Sequence, residues 1–214
     1  MNIKGWLELA LFIVVLVLIT KPLGIYLLKV LDVNERTLLD PVLKPVERIT
    51  YRLFGIDPQK EQGWIGYTIS ILVFSVVGAL FSYLIMRFQD LLPLNPQKFP
   101  GVTDHIAFNT ALSFLTNTNW QSYAGESTMS YFSQMVALTF HNFMSAATGI
   151  AIAAALVRGI ARHSAKTIGN FWVDLVRLNY YLLLPICLVF AIFLVSQGIV
   201  QNFKANDTAK VVEV

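Results

Sequence analysis

Four stretches of this chain are long and apolar enough to cross a lipid bilayer, and they constrain its fold more than any other feature. Residues 64–86 and 131–157 contain no Asp, Glu, Lys or Arg, the uncharged run 178–199 is interrupted only by Pro185, and residues 6–26 form the remaining stretch. A bilayer core of ~30 Å needs roughly 20 helical residues. Because 56% of all residues are hydrophobic and only 14% are charged, a water-soluble globule is excluded. We predict an all-α integral membrane protein with four transmembrane helices.

The first apolar stretch carries Glu8 near one end and the pair Lys21-Pro22 near the other. A cleaved signal peptide is the alternative to a membrane span here, but no small-residue cleavage pattern follows the apolar run. The long stem of Lys21 can extend to the membrane surface. We therefore predict an uncleaved N-terminal anchor span within residues 1–30.

The basic residues are distributed unevenly between the connections, and this predicts an orientation in the membrane. Eleven of the sixteen Lys and Arg residues lie at the end of the first span, between it and the second span, or between the third and fourth. Loops rich in Lys and Arg stay in the cytoplasm. We therefore place loops 31–63 and 158–170 inside, and the connection 87–130, both termini and the tail 200–214 outside.

The external connection contains a short apolar helix. Three prolines within residues 93–100 forbid a regular helix there, Asp104 is the predicted N-cap, and apolar residues then continue for about three turns to Leu115. A helix of this length is too short to cross a bilayer and is more often re-entrant or interfacial. We predict a re-entrant pore helix.

A polar loop follows this helix, from Thr116 to Glu126. Irregular backbone at membrane depth is tolerated only where it is buried in protein or lines a wet cavity. The carbonyl end of the helix carries about half a negative charge, and carbonyls of the loop can replace the water shell of a monovalent cation. Thr and Asn side chains would hold those carbonyls from behind, and Gly125 would permit the turn back. The predicted ion-binding residues are Thr116, Asn117, Thr118, Asn119 and Gln121. An external loop that only caps two helices remains the alternative.

Three parts of the sequence are long and unusual: residues 109–123 with Gly125-Glu126, the run Leu92-Pro93-Leu94-Asn95-Pro96-Gln97, and Trp172-Val173-Asp174-Leu175. They resemble the first pore loop and its surroundings in the KdpA family, the potassium-binding subunits of the bacterial Kdp ATPase. The resemblance extends over almost the whole chain.

Members of this family contain an N-terminal span and four span, pore-helix, span units around one ion path. The resemblance therefore implies that residues 64–157 form the first unit and that residues 171–199 open a second, incomplete one. One pore loop cannot surround an ion, so we interpret the chain as an N-terminal fragment of a longer subunit.

The resemblance also implies a function. It points to a subunit of an ATP-driven potassium importer that binds external K⁺ in a selectivity filter and passes it through an intramembrane tunnel to the ATPase subunit. The implied location is the bacterial inner membrane, with multiple spans, and the implied partners are KdpB, KdpC and KdpF. The chain itself would be non-catalytic and would hold no cofactor, because ATP and Mg²⁺ belong to a partner subunit. Two alternatives are a stand-alone potassium channel or symporter of the same superfamily, and a structural membrane fragment that binds helices but no ion.

Three further positions have two interpretations each. Glu126 would either concentrate cations at a pore mouth or occupy the first turn of the next helix, where an acid is favourable. His141 would either contact the ion or form a hydrogen bond to a neighbouring helix. Asp174 and Arg177, three residues apart, are expected to pair with each other on a helix surface.

Overall fold

A computed structural model describes residues 3–162, 166–199 and 202–205. In this part of the chain the regular structure is helical, and a single isolated bridge joins Gln62 and Gly169. The helices are α1 (Ile3–Leu31), α2 (Asp40–Phe54), α3 (Trp64–Arg87), α4 (Asp104–Leu115), α5 (Gly125–Thr128), α6 (Phe140–Ala161), α7 (Phe171–Arg177) and α8 (Leu184–Ser196). A π-helical segment at Ser133–Thr139 leads directly into α6, and a second one at Leu178–Leu183 joins α7 to α8.

Four continuous helices among the described residues are long and apolar enough to cross a membrane. They are Ile3–Leu31, Trp64–Arg87, Ser133–Ala161 and Phe171–Ser196. The predicted all-α membrane fold is therefore confirmed. Each of the last two helices extends through its π-helical segment, where a wider turn is accommodated without breaking the helix.

Two buried apolar clusters lie at opposite ends of α3. Tyr67 belongs to one cluster and Met86 to the other, and a step of 19 positions corresponds to about 28 Å along the helix. The Tyr67 cluster joins the end of α1 to α6 and to the helix that starts at Phe171. The Met86 cluster joins the end of α3 to α4 and to the segment before α6. The bundle consequently has two distinct ends.

The loops predicted to be cytoplasmic meet at the Tyr67 end. The Gln62 N–H donates to the Gly169 carbonyl at 2.6 Å, and Arg162 Nη1 lies 2.8 Å from a carboxylate oxygen of Glu61. Hydrogen bonds from Arg162 and from the Thr167 hydroxyl hold the pKa of Glu61 below its usual value. The connection 87–130 lies at the other end, where the Tyr131 hydroxyl also donates to the carbonyl of Lys204 at 2.6 Å. Most of the tail 200–214 lies outside the described residues.

An additional helix, α2, occupies the loop 31–63. Pro41 stands in its first turn, where the missing N–H is not needed, and Gly55 ends it in the left-handed conformation with φ 64°. Its inner side packs against the bundle through Leu39 and Leu43. The apolar pattern of the sequence did not predict this helix.

The expected pairing of Asp174 with Arg177 is wrong. Asp174 is 2% exposed and accepts two hydrogen bonds from Arg158, at 2.6 and 2.9 Å. Arg177 is equally buried and donates to Glu47 at 2.9 Å. The two side chains point to different neighbouring elements, because both face the inside of the bundle, where a charge needs a close partner.

Candidate functional site: a re-entrant loop

The short helix α4 spans Asp104–Leu115, close to the prediction, and it is anchored at its start. Thr103, rather than Asp104, holds the N-cap position, and no side-chain capping bond forms. Asp104 is the first helical residue and lies 2.8 Å from Nε of Arg87 at the end of α3. The Val102 N–H donates to the Met86 carbonyl at 3.0 Å. These contacts fix where the chain turns back into the bundle.

The loop after α4 reaches about halfway along the neighbouring helices. Leu115 packs beside Gly78, near the middle of α3; a β-carbon on that glycine would lie 3.6 Å from Cδ1 of Leu115. Beyond it, the Asn117 side chain accepts a hydrogen bond of 3.5 Å from the Ser145 hydroxyl, near the middle of the third span. The chain then returns toward the end from which it came and enters the π-helical segment. The arrangement is therefore re-entrant, as predicted.

Ser113, a buried residue in the last turn of α4, binds three consecutive backbone N–H groups of the loop. Its carbonyl accepts from Thr118 at 2.9 Å and from Asn119 at 3.2 Å, and its hydroxyl accepts from the N–H of Trp120 at 2.5 Å. The N–H groups of Thr116 and Asn117 donate to Leu112 and Phe114. The donors of residues 116–120 are thus all turned toward the end of α4.

Two asparagines form the turn in the loop backbone. Asn117 and Asn119 adopt left-handed backbone conformations, with φ of 57° and 55°. Asparagine tolerates this region better than other residues with a side chain, apart from glycine. The expectation that Gly125 makes the turn back is wrong, since that residue is simply the first of α5 and has no positive φ. The Asn residues make the turn instead.

The predicted ion-binding residues lie together on one open surface. Thr116, Asn117, Thr118, Asn119 and Gln121 are all exposed. The hydroxyls of Thr116 and Thr118 are 2.9 Å apart, the amides of Asn117 and Asn119 are 3.4 Å apart, and Gln121 Nε2 donates weakly to the Tyr123 hydroxyl at 3.4 Å. The Thr116 hydroxyl also donates to the carbonyls of Leu112 at 2.9 Å and Ser113 at 3.3 Å, so this side chain joins the loop to the end of α4.

From Thr116 to Trp120 the loop offers carbonyl oxygens, whereas its backbone donors are bound to α4. Among the described residues, the carbonyl oxygens of residues 116–121 accept no hydrogen bond from the protein. Backbone carbonyls and amide and hydroxyl oxygens are hard ligands that suit cations, and the carbonyl end of α4 points toward the same region. The site is thus chemically suited to a cation, and it is open on the side away from α4.

The other two polar positions lie apart from this surface. Glu126 is exposed in the first turn of α5. His141 is completely buried; its Nδ1 lies 2.8 Å from the Ser82 hydroxyl on α3 and 3.1 Å from the Ala137 carbonyl. A β-carbon on Gly78 would stand 2.8 Å from its Nε2. This position matches the interpretation of His141 as a histidine bonded to a neighbouring helix.

Fold and site together define a multi-pass helical membrane protein with a re-entrant helix and an oxygen-rich loop at mid-depth. The family described as "KdpA: Potassium-transporting ATPase A subunit" matches residues 10–214 of the chain. The chain belongs to this family.

Related proteins agree with this assignment. A potassium-transporting ATPase potassium-binding subunit of Methylacidiphilum infernorum is 58% identical over 205 residues, which is 96% of this chain and 36% of that protein. Proteins of the same description from Koribacter versatilis and Caulobacter vibrioides are 54% and 50% identical across the whole of this chain, and the chain covers 36% and 37% of their lengths. The chain thus spans little more than a third of the relatives it matches.

Proposed function

We propose that this chain supplies one side of the potassium-binding filter of an ATP-driven potassium importer. The filter residues are Thr116, Asn117, Thr118, Asn119 and Gln121, and K⁺ is the transported ion rather than a cofactor. The observation that carries this proposal is the loop in which every backbone donor from Thr116 to Trp120 is bound to α4, while the carbonyls of residues 116–121 are free.

The proposal follows from how a cation loses its water. A filter replaces the hydration shell with carbonyls that converge from several sides. This loop provides one such set on an exposed surface, so further sets must come from elsewhere in the assembled protein. The names of the relatives support potassium as the ion. The free carbonyls support a cation independently of those names.

The wider context of the proposal comes from the family. External K⁺ would enter this filter and pass through an intramembrane tunnel to an ATPase subunit, with KdpB, KdpC and KdpF as partners in a bacterial inner membrane. In this arrangement the chain has no catalytic role, because ATP and Mg²⁺ are handled by a partner. Glu126 at the start of α5 would raise the local concentration of cations near the entrance.

A pair of substitutions at Asn119 tests the proposal in a full-length subunit that carries this chain. Asn119→Gly keeps the left-handed backbone and should leave the apparent affinity for K⁺ uptake within about twofold. Asn119→Ala removes the same side chain but disfavours positive φ by about 1 kcal/mol, which corresponds to roughly a fivefold loss of affinity. Uptake of K⁺ as a function of its concentration measures both. Equal affinities in the two variants, with normal membrane levels, would argue against carbonyl geometry as the basis of binding.

A further inference from the structure

Helix α2 lies across the bundle rather than along it. Arg158 Nη2 donates to the Leu31 carbonyl at 3.0 Å, so the end of α1 lies level with the start of the fourth span. After α2, the carbonyls of Asp57 and Lys60 accept from the side chain of Asn170, which caps that same span. The connection that contains α2, a helix about 22 Å long, therefore enters and leaves the bundle at one level. This placement favours a helix axis roughly parallel to the membrane surface.

Three faces alternate around α2. Its inner face is fixed to the bundle by Glu47, whose carboxylate accepts from Arg177 at 2.9 Å and from the Tyr181 hydroxyl at 2.6 Å. A second face carries an apolar row with the helical spacing of residues 42, 46, 49 and 53. A third carries basic residues one turn apart, Lys44, Arg48 and Arg52.

The apolar row has no cover within the described residues. Val42 is 72% exposed, Ile49 is 66% exposed and Leu53 is 74% exposed. An apolar row of this kind beside a row of Lys and Arg is the pattern of helices that lie in the plane of a membrane surface. None of the most apolar stretch of α1 is buried. This exposed surface extends along α1 to the level of α2. The row on α2 therefore continues the exposed apolar surface of α1.

We propose that α2 is an interfacial helix that inserts Val42, Val46, Ile49 and Leu53 into the membrane and binds anionic phospholipid headgroups through Lys44, Arg48 and Arg52. Lipid is favoured over a protein partner by charge complementarity, because anionic headgroups attract a basic row at the cytoplasmic surface. The core of a protein interface is instead depleted of lysine and of other charged residues apart from arginine. Through Glu47 and Arg177, headgroup binding would hold the inner ends of α1 and of the fourth span in place.

Depth measurements on the full-length protein test the insertion. In a background from which every native cysteine, Cys187 included, has been removed, a fluorescent label is attached to Ile49→Cys or, as the matched neighbour, to Arg48→Cys. The protein is placed in vesicles of phosphatidylcholine and phosphatidylglycerol at three to one. A nitroxide on the lipid acyl chain should quench the label at position 49 at least threefold more than at 48, and aqueous iodide should do the reverse. Equal iodide quenching at both positions, or protection of position 49 from both quenchers because protein covers it, would overturn the proposal.

Headgroup preference is tested with the same label at position 49. Nitroxide-labelled phosphatidylglycerol should quench it at least twofold more than nitroxide-labelled phosphatidylcholine. Replacing Lys44, Arg48 and Arg52 by Gln should bring this ratio close to one, whereas Lys98→Gln, at the other end of the bundle, should leave it unchanged. A ratio of one before any substitution would refute the binding of anionic headgroups.

Discussion

Ser113 illustrates how one small side chain shapes the binding loop. It accepts from three successive N–H groups, two through its carbonyl and one through its hydroxyl. The N–H of Trp120 has no other acceptor among the described residues. Because the N–H groups of the loop are bound to α4, they do not occupy the carbonyls of the loop, and these carbonyls stay free.

Gln121 allows a direct test of the proposed ion path. Placing an Arg guanidinium ~5 Å from a bound K⁺ at an effective dielectric of ~20 costs on the order of 3 kcal/mol, which corresponds to roughly a hundredfold loss of affinity. Gln121→Arg in a full-length subunit should weaken K⁺ uptake accordingly. Ser127→Arg, on the exposed surface of α5, adds the same charge as a control and should change affinity far less. The measurement is the K⁺ concentration at half-maximal uptake, with assembly checked by co-purification.

The alternative interpretation of the loop predicts a different result. If the loop only capped two helices, Gln121→Arg would be an ordinary surface substitution, worth less than ~0.5 kcal/mol. An affinity within about twofold of the original would then remove this residue from the ion path.

The sequence predicted which residues form the exposed loop, but it did not predict the backbone conformation of that loop. A polar run between two apolar helices identifies the exposed residues, since lipid excludes such backbone. The bracing by Ser113 was missed because a serine inside an apolar helix gives no pattern of its own. Asn117 and Asn119 did carry a signal, because asparagine is enriched at positive φ, and this signal would have identified the turn better than Gly125.

At the scale of elements, buried ion pairs hold the four long helices at one end of the bundle. Arg158 on α6 binds Asp174 on α7, and the Tyr67 hydroxyl on α3 donates to Asp174 at 2.9 Å. Arg177 joins α7 to α2 and also donates to the Val30 carbonyl of α1 at 2.5 Å. Spacing along one helix predicted the wrong partners, because the true ones lie 16 and 130 residues away in sequence.

Breaking the inner pair should destabilise the bundle far more than breaking an outer one. Asp174→Asn leaves Arg158 buried without a charged partner and should lower the free energy of unfolding by about 3 kcal/mol. Glu61→Gln, which breaks the partly exposed pair with Arg162, should cost less than about 1 kcal/mol. Unfolding in detergent micelles followed by circular dichroism compares the two. Similar losses would mean that the burial of the Asp174 pair has no energetic consequence.

At the scale of the whole molecule, the two ends of the bundle should lie on opposite sides of the membrane. The Tyr67 end carries most of the basic residues, so it should face the cytoplasm, and the connection 87–130 should face outward. Single cysteines at Ser127 and Gln59, both exposed, test this in a Cys187→Ser background. An impermeant maleimide added to intact cells should label position 127 and not position 59. The reverse pattern would invert the orientation.

The four spans could be predicted from the sequence, whereas helix α2 could not. Apolar length alone predicted the four spans, because the bilayer fixes how many residues a helix needs. Ser164, which would also suit the cysteine labelling of the loop 158–170, lies outside the described residues. Helix α2 was missed because its outer apolar row contains only four residues, and much of its stability comes from contacts made by Leu43 and Glu47 with distant parts of the chain.

The buried pairs also bear on how the protein is made. A charged side chain in a membrane helix is costly until its partner is in place, and the helix that begins at Phe171 carries two, Asp174 and Arg177. Their partners, Arg158 and Glu47, are both synthesised earlier. This helix can therefore settle in the bilayer as soon as it leaves the ribosome, provided that α2 and α6 are already in position, so the order of synthesis matches the order of assembly.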